Sequence, residues 1–253
     1  MRLTAVALTN SGKVRDKNED NFYFNGEYLS ENNPDMKEPV TMKIKTGKPV
    51  LMAVFDGVGG ACYGEKASYV SAEEMAHFFD EKKEIVDSTE FFREICHRMN
   101  ERVCGLEDFY LASMGCTVSA LLFEGKSVTI CNLGDSPVFR VRKEKTERIH
   151  QEHTNRRLLE EQGIGRKPEL TQCLGIAEEE MLICPYVRQY RVQSGDYYLL
   201  CSDGLTDMLS DEEIAEIVRG RMTAEEKIKG LMENALKRGG RDNITIILIK
   251  AEN

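Results

Sequence analysis

Apolar residues gather in short runs of strand length at 3–9, 50–55, 117–123, 128–133, 138–141, 197–201 and 244–249. Their length and their content of Val, Ile, Tyr and Phe predict buried strands. Between the runs the spacing changes to that of helices. Met75, Phe78 and Phe79 fit one helix near 65–84, and Ile95, Met99, Val103 and Leu106 lie on one face of a second near 89–106. Ser210 with Glu213 and Thr223 with Glu226 are capping-box pairs that open two more. Gly220 and Gly239 stand where those helices should stop. Strands, then a helical pair, then strands again predict an α+β fold rather than an alternating parallel one. The stretch 25–48 is polar and turn-rich, a hairpin or surface excursion, and 143–190 holds short charged pieces expected to be the most mobile part. With no repeat, low-complexity tract or long linker, residues 1–253 read as one domain.

Several of these runs meet a carboxylate. In VLMAVFDGVGG six apolar residues, Val50 to Phe55, lead into Asp56, and Gly57, Gly59 and Gly60 follow. SVTICNLGD runs into Asp135 and DYYLLCSDG into Asp203. The order reverses in RDNITIILI, where Asp242 precedes its strand, and in NEDNFYF, where Glu19 and Asp20 precede Phe22, Tyr23 and Phe24. If these carboxylates share one rim, the strands that end in Asp must run antiparallel to those that begin with it. A carboxylate at the end of a buried strand is costly unless its charge is compensated. Several together cannot all stay ionised without cations. Hard oxygen donors on short side chains, beside glycine carbonyls, suit Mg²⁺ or Mn²⁺ rather than zinc. Gly57, lacking a Cβ, lets its carbonyl turn toward such an ion. Taken singly, Asp56 or Asp203 before glycine is an ordinary turn, Asp135 an Asx-turn, Asp242 a strand cap, and Glu19 with Asp20 a solvated pair. Five such places at strand ends are harder to explain in that way together.

Charge and cysteine usage narrow the classes. A net charge of −9 argues against nucleic acid or an anionic membrane as a main partner. The apolar stretch in MRLTAVALTNSG is too short for a signal peptide, and no run approaches membrane-spanning length. The eight cysteines include no CxxC pair, and Cys131 and Cys201 lie inside apolar runs as small hydrophobes. A reduced, cytoplasmic setting is expected, and a zinc ribbon is set aside. The segment CHRMNER, Cys96 to Arg102, fits the Cys-x5-Arg formula of cysteine-dependent phosphatases. It holds no glycine and lies in the amphipathic second helix, so it cannot form the tight loop that this chemistry needs. Val58 stands where a haloacid-dehalogenase phosphatase needs a second aspartate, and Cys62 where a dinucleotide loop needs a third glycine.

The segments GKVRDKNEDN, LMAVFDGVGG, MGCTVSALL, CNLGDSPVF, CSDGLTDML and GGRDNITIIL run in this order along nearly the whole chain. Together they resemble the type 2C metal-dependent serine/threonine protein phosphatases (the PPM family), especially its compact bacterial branch. The resemblance implies two packed antiparallel sheets flanked by helices, an αββα sandwich. It implies two Mn²⁺ or Mg²⁺ ions bridged by Asp56, with the Gly57 carbonyl on one and Asp203 and Asp242 on the other. Glu19 and Asp20 would act directly or through water, and Asp135 with Asp203 and Asp207 matches the acidic set that can hold a third ion. Arg15 matches the arginine that grips the substrate phosphate. The implied reaction is hydrolysis of phosphoserine or phosphothreonine by direct attack of a metal-bridging water, on phosphoproteins opposing a serine/threonine kinase of the eukaryotic type. The chain is taken as a monomer. The competing expectation is a phosphatase-like module that binds phosphoproteins or senses metal without turnover. Two departures stand out. Val58 replaces the histidine that serves many relatives as general acid, leaving water or, second, His153. Glu152 in HQEHT replaces an aspartate, and His150 and His153 read as exposed loop residues.

Overall fold

The computed structural model describes residues 1–58, 63–82 and 84–253. Gly59, Gly60 and Cys62, invoked above, lie outside the described residues. The chain opens with β1 (Arg2–Asn10), β2 (Asp20–Phe24), β3 (Glu27–Tyr28), β4 (Val40–Lys45) and β5 (Val50–Val58), which lead into α1 (Gly64–Glu81) and α2 (Ser88–Tyr110). β6 (Gly115–Cys116), β7 (Val118–Glu124), β8 (Ser127–Leu133), β9 (Val138–Arg142) and β10 (Lys145–Arg148) follow. The last third holds α3 (Arg156–Glu161), β11 (Tyr186–Arg191), β12 (Tyr197–Cys201), α4 (Asp203–Thr206), α5 (Asp211–Arg219), α6 (Ala224–Lys237) and β13 (Ile244–Glu252). One sheet runs β10-β9-β12-β13-β1-β4 and the other β11-β8-β7-β5-β2-β3, with β6 on β5. The named strands pair antiparallel.

Both sheets are covered on both faces, which explains why apolar residues fill successive positions in the runs. Along β5, Val50, Met52 and Val54 enter the core between the sheets, with Phe22, Phe24, Ile247 and Ile249. Alternate residues Leu51, Ala53 and Phe55 pack against α1 and α2 through Met75, Phe78, Phe92 and Ile95. On the far side Ile246 and Leu248 of β13 meet Ile214, Val218, Ile228 and Leu231 of α5 and α6. The layer order is therefore helix, sheet, sheet, helix. Cys131 and Cys201 are fully buried, as their apolar neighbours predict.

The helix signals are met. Both capping boxes form, at Ser210 with Glu213 and at Thr223 with Glu226. Gly239, just beyond α6, takes a φ of 126°, which favours glycine. Two stretches hold more order than their sequence suggests. Within 25–48, β4 pairs with β1 as an edge strand. Within 143–190 lie β10, α3 and the start of β11, which pairs with β8.

Candidate metal centre

Strand direction brings the carboxylates to one rim. β2 and β5 run antiparallel in a register that sets Asp20 directly opposite Asp56. In the other sheet β12 and β13 run antiparallel, Cys201 opposite Ile246, so Asp203 and Asp242 flank the same edge. The two segments touch: a Cβ on Gly204 would lie 2.0 Å from the Asn243 carbonyl oxygen and 3.3 Å from the Cβ of Asp242. Gly57 meets a comparable limit. A Cβ there would fall 2.2 Å from the Gly64 carbonyl oxygen and 2.5 Å from that of Glu19. Crowding of three backbone segments thus requires this glycine, apart from any orientation of its own carbonyl.

Polar cross-ties lock the two sheets together at this rim. The Ser202 hydroxyl donates to Asp20 Oδ2 at 2.7 Å. The Glu19 N–H donates to Asn243 Oδ1 at 2.8 Å, while Asn243 Nδ2 donates to the carbonyls of Ser11 at 2.9 Å and Lys17 at 2.8 Å. One buried amide thereby holds the 11–19 loop, which carries Arg15 and Glu19. Beneath Asp56, Thr117 N–H donates to the Asp56 carbonyl at 2.8 Å.

The carboxylates feel one another. Burial pushes Asp56 well above the usual carboxylate range, and the charges of Asp20, Asp203, Asp135 and Asp242 push it further. Asp20 is raised to about 7, chiefly by burial, with Asp203 and Asp242 adding to it against hydrogen bonds from Thr245 and Ser202. Asp135 also rises to about 7, through burial and then Asp203. Burial likewise raises Asp203, with Lys167 opposing, and Glu19, with Glu65 adding. Asp207 joins this mutual repulsion through its charge on Asp203.

The chain's own cations answer part of it. Arg15 Nη2 lies 2.8 Å from Asp242 Oδ2. Lys167 Nζ lies 2.7 Å from both Asp203 Oδ2 and Asp207 Oδ2. Among the described residues no three carboxylates close into a ready-made cage; Asp203 and Asp242 are turned onto these side chains instead. The donor set nevertheless fits a hard divalent cation. It is all oxygen, and it gathers buried carboxylates that hold each other's protons on in the absence of positive charge.

Two sequence readings change. His153 is buried, only 8% exposed, and its Nδ1 accepts from the Gly134 N–H at 3.2 Å. It lines a separate cavity with Gln172 and Cys184, so it is no general acid for this rim. His150 is also drawn inward, under β9, its Nδ1 accepting from the Val138 N–H at 3.2 Å. Arg15 stands at the rim with its guanidinium on Asp242. Cys96 is buried in α2 and Arg102 pairs with Glu73 and Glu74, which removes the Cys-x5-Arg match. Sequence reasoning passed over Ser202, Asn243 and Lys167. The first two sit beside aspartates in CSDG and RDN, where adjacency was the available signal; Lys167, in a charged stretch, gave none.

A profile described as "Protein phosphatase 2C" matches residues 35–239. The chain belongs to the protein phosphatase 2C family. Over 261 aligned residues it is 26% identical to the serine/threonine phosphatase stp of Listeria monocytogenes, covering 96% of this chain and 94% of the relative. The serine/threonine protein phosphatase PstP of Mycobacterium tuberculosis is 30% identical over 209 residues, 78% of this chain and 40% of that one. Among solved 2C structures, the catalytic domain of PstP in complex with two manganese ions superposes with a TM-score of 0.79 at 26% identity, covering both chains fully. Stp1 of Staphylococcus aureus gives 0.80 at 28% identity, covering 98% of this chain and 95% of the other. The αββα layering expected from the sequence is the fold of these proteins.

Proposed function

We propose that this chain is a metal-dependent phosphatase of phosphoserine and phosphothreonine in proteins, residues 1–253 acting as one catalytic unit. The observation that carries the reading is the meeting of Asp20 and Asp56 from one sheet with Asp203 and Asp242 from the other, in a 2C-family chain. Asp56 with the Gly57 carbonyl, Asp203 and Asp242 would hold two Mn²⁺ or Mg²⁺ ions, with Glu19 and Asp20 in support and Asp135 and Asp207 beside them. Such ions supply Lewis acidity, acidifying water and offsetting charge on the phosphoryl oxygens.

The chain's own residues do the rest. Arg15, half exposed and at the rim, can leave Asp242 and present its planar fork to two phosphate oxygens. Asn243 fixes the loop that aims it. Among the described residues Cys96 and Cys116 are buried, and Ser202 is sealed in its bond to Asp20, so none of these three is placed as a covalent nucleophile. Water then attacks phosphorus in line, the new P–O bond forming as the bond to the serine or threonine oxygen breaks and that oxygen takes a proton. The substrates are phosphoproteins, products of a serine/threonine kinase of the eukaryotic type.

The test is direct. Purified protein with Mn²⁺ should hydrolyse p-nitrophenyl phosphate and a phosphothreonine peptide, EDTA should stop both, and Asp203→Asn should lower kcat by about 100-fold or more, an oxyanion-scale electrostatic loss. Calorimetric Mn²⁺ binding with no hydrolysis across peptides and pH would instead establish a non-catalytic binding module.

A further inference from the structure

Lys167 is a charged side chain at this rim that strand order does not explain. It is delivered by a built loop. α3 and the segment after it form a closed excursion whose base is a β-bridge between Thr154 and Leu170. Asn155 N–H donates to the Glu169 carbonyl at 3.0 Å, and Asn155 Oδ1 accepts from the Glu169 N–H at 2.9 Å. Leu159, buried, anchors the excursion to the body, and Pro168 fixes φ immediately after Lys167. The ammonium reaches two carboxylates at 2.7 Å each and faces Asp135 across a small cavity of about 220 Å³. The cavity's other cations already have carboxylate partners. Arg148 forks onto Asp211 at 2.7 and 2.8 Å and also bonds Glu152, and Arg156 bonds Glu152 at 2.9 Å.

We propose that Lys167 is a resident cation that takes the place of a metal ion at the Asp203–Asp207 pair, so that it sets how many ions the chain binds and how tightly. The inference rests on the proposed metal centre and deepens it. A carboxylate oxygen 2.7 Å from an ammonium can bind a divalent ion only by giving up or sharing that partner, and the ammonium repels a second cation placed beside Asp135. Asp203 is common to both sets, so displacing Lys167 acts on the neighbouring ion as well. The side chain is half exposed, and its removal leaves the core untouched.

Mn²⁺ titrations of chelated protein, read by calorimetry and by the EPR signal of free Mn²⁺, decide the matter. Lys167→Met should bind one more Mn²⁺ per chain than the parent, or bind its weakest ion at least tenfold tighter. Lys167→Arg should stay close to the parent, and Asp207→Asn placed in the Lys167→Met chain should lose the gain. In EDTA, Lys167→Met should melt lower than the parent, because two carboxylates lose their partner, and Mn²⁺ should raise its melting temperature by more than it raises the parent's. Identical stoichiometry and affinity in parent and Lys167→Met would overturn the role of Lys167 while leaving the metal centre standing. If the parent binds no Mn²⁺, and Asp56→Ala therefore changes nothing, the metal centre falls and this inference with it.

Discussion

His150 shows what a single misread residue carries. Its ring is tucked beneath β9, its Nε2 meets no hydrogen-bond partner, and burial pushes its pKa down to about 4, with Arg148 adding and Glu152 and Asp211 opposing. The folded chain therefore refuses a proton that the unfolded chain accepts near pH 6.5. Between those values the unfolded state binds more protons, so stability rises with pH and is lost as pH falls from 6.5 through about 4. At pH 5 this one group should cost about 2 kcal/mol relative to pH 8. Urea unfolding at the two pH values should show the loss in the parent and a clearly smaller one in His150→Gln; equal losses would remove His150 as the cause. HQEHT read as an exposed loop because its residues are polar and aperiodic. What draws it in is backbone pairing, Ile149 N–H to the Val138 carbonyl and His153 N–H to that of Gly134, both at 2.9 Å. A partner more than ten positions away leaves no local trace.

Elements divide along the same line. α5 and α6 announce themselves by paired caps and a regular apolar face, and β5, β7, β8, β12 and β13 by runs buried on both sides. β4, β10 and β11 did not, because strands at or near a sheet edge bury little, and a segment such as YVRQYR reads as charged surface. Lys227 was equally opaque. A lysine in the first turn of a helix suggests a solvated charge, yet this one is 2% exposed. Its Nζ donates to the Val218 carbonyl, near the end of α5, at 2.6 Å and stands 4.0 Å from the centroid of the Tyr197 ring. It ties α6 to the end of α5, where the helix dipole favours a cation. Lys227→Met keeps the stem but leaves a buried carbonyl unpaired and removes the cation–π contact, and it should destabilise by roughly 1–3 kcal/mol. Chemical denaturation checks this. An unchanged urea midpoint would mean that the apolar replacement offsets the lost bond, as happens for some buried charges.

At the scale of the whole molecule, the two sheets meet through their apolar inner faces, which fix distance but not register. Register at the carboxylate edge comes from the polar ties there, Ser202 to Asp20 and Asn243 to the 11–19 loop. Convergence of the aspartates was legible because each strand's direction could be read from whether Asp56, Asp203, Asp242 or Asp20 stood at its end or its start. The closure of Asp242 onto Arg15 and of Asp203 onto Lys167 was not, since the partners lie 227 and 36 positions away. Asn243 offers the sharpest test of this division between core and edge. Asn243→Ala deletes three hydrogen bonds, each worth a net of about 1 kcal/mol, and touches none of the apolar layers. The fold should persist with unchanged far-ultraviolet dichroism and a stability loss of about 2–4 kcal/mol. Freed of its tether, the loop should present Arg15 and Glu19 less often in their working places, so KM for a phosphopeptide and the Mn²⁺ requirement should each rise about tenfold, while Asn243→Asp, which keeps the acceptor for the Glu19 N–H, should fall between. A variant that lost stability while holding KM and Mn²⁺ affinity at parental values would show that the inner faces alone set the register, and that Asn243 serves the fold but not the site.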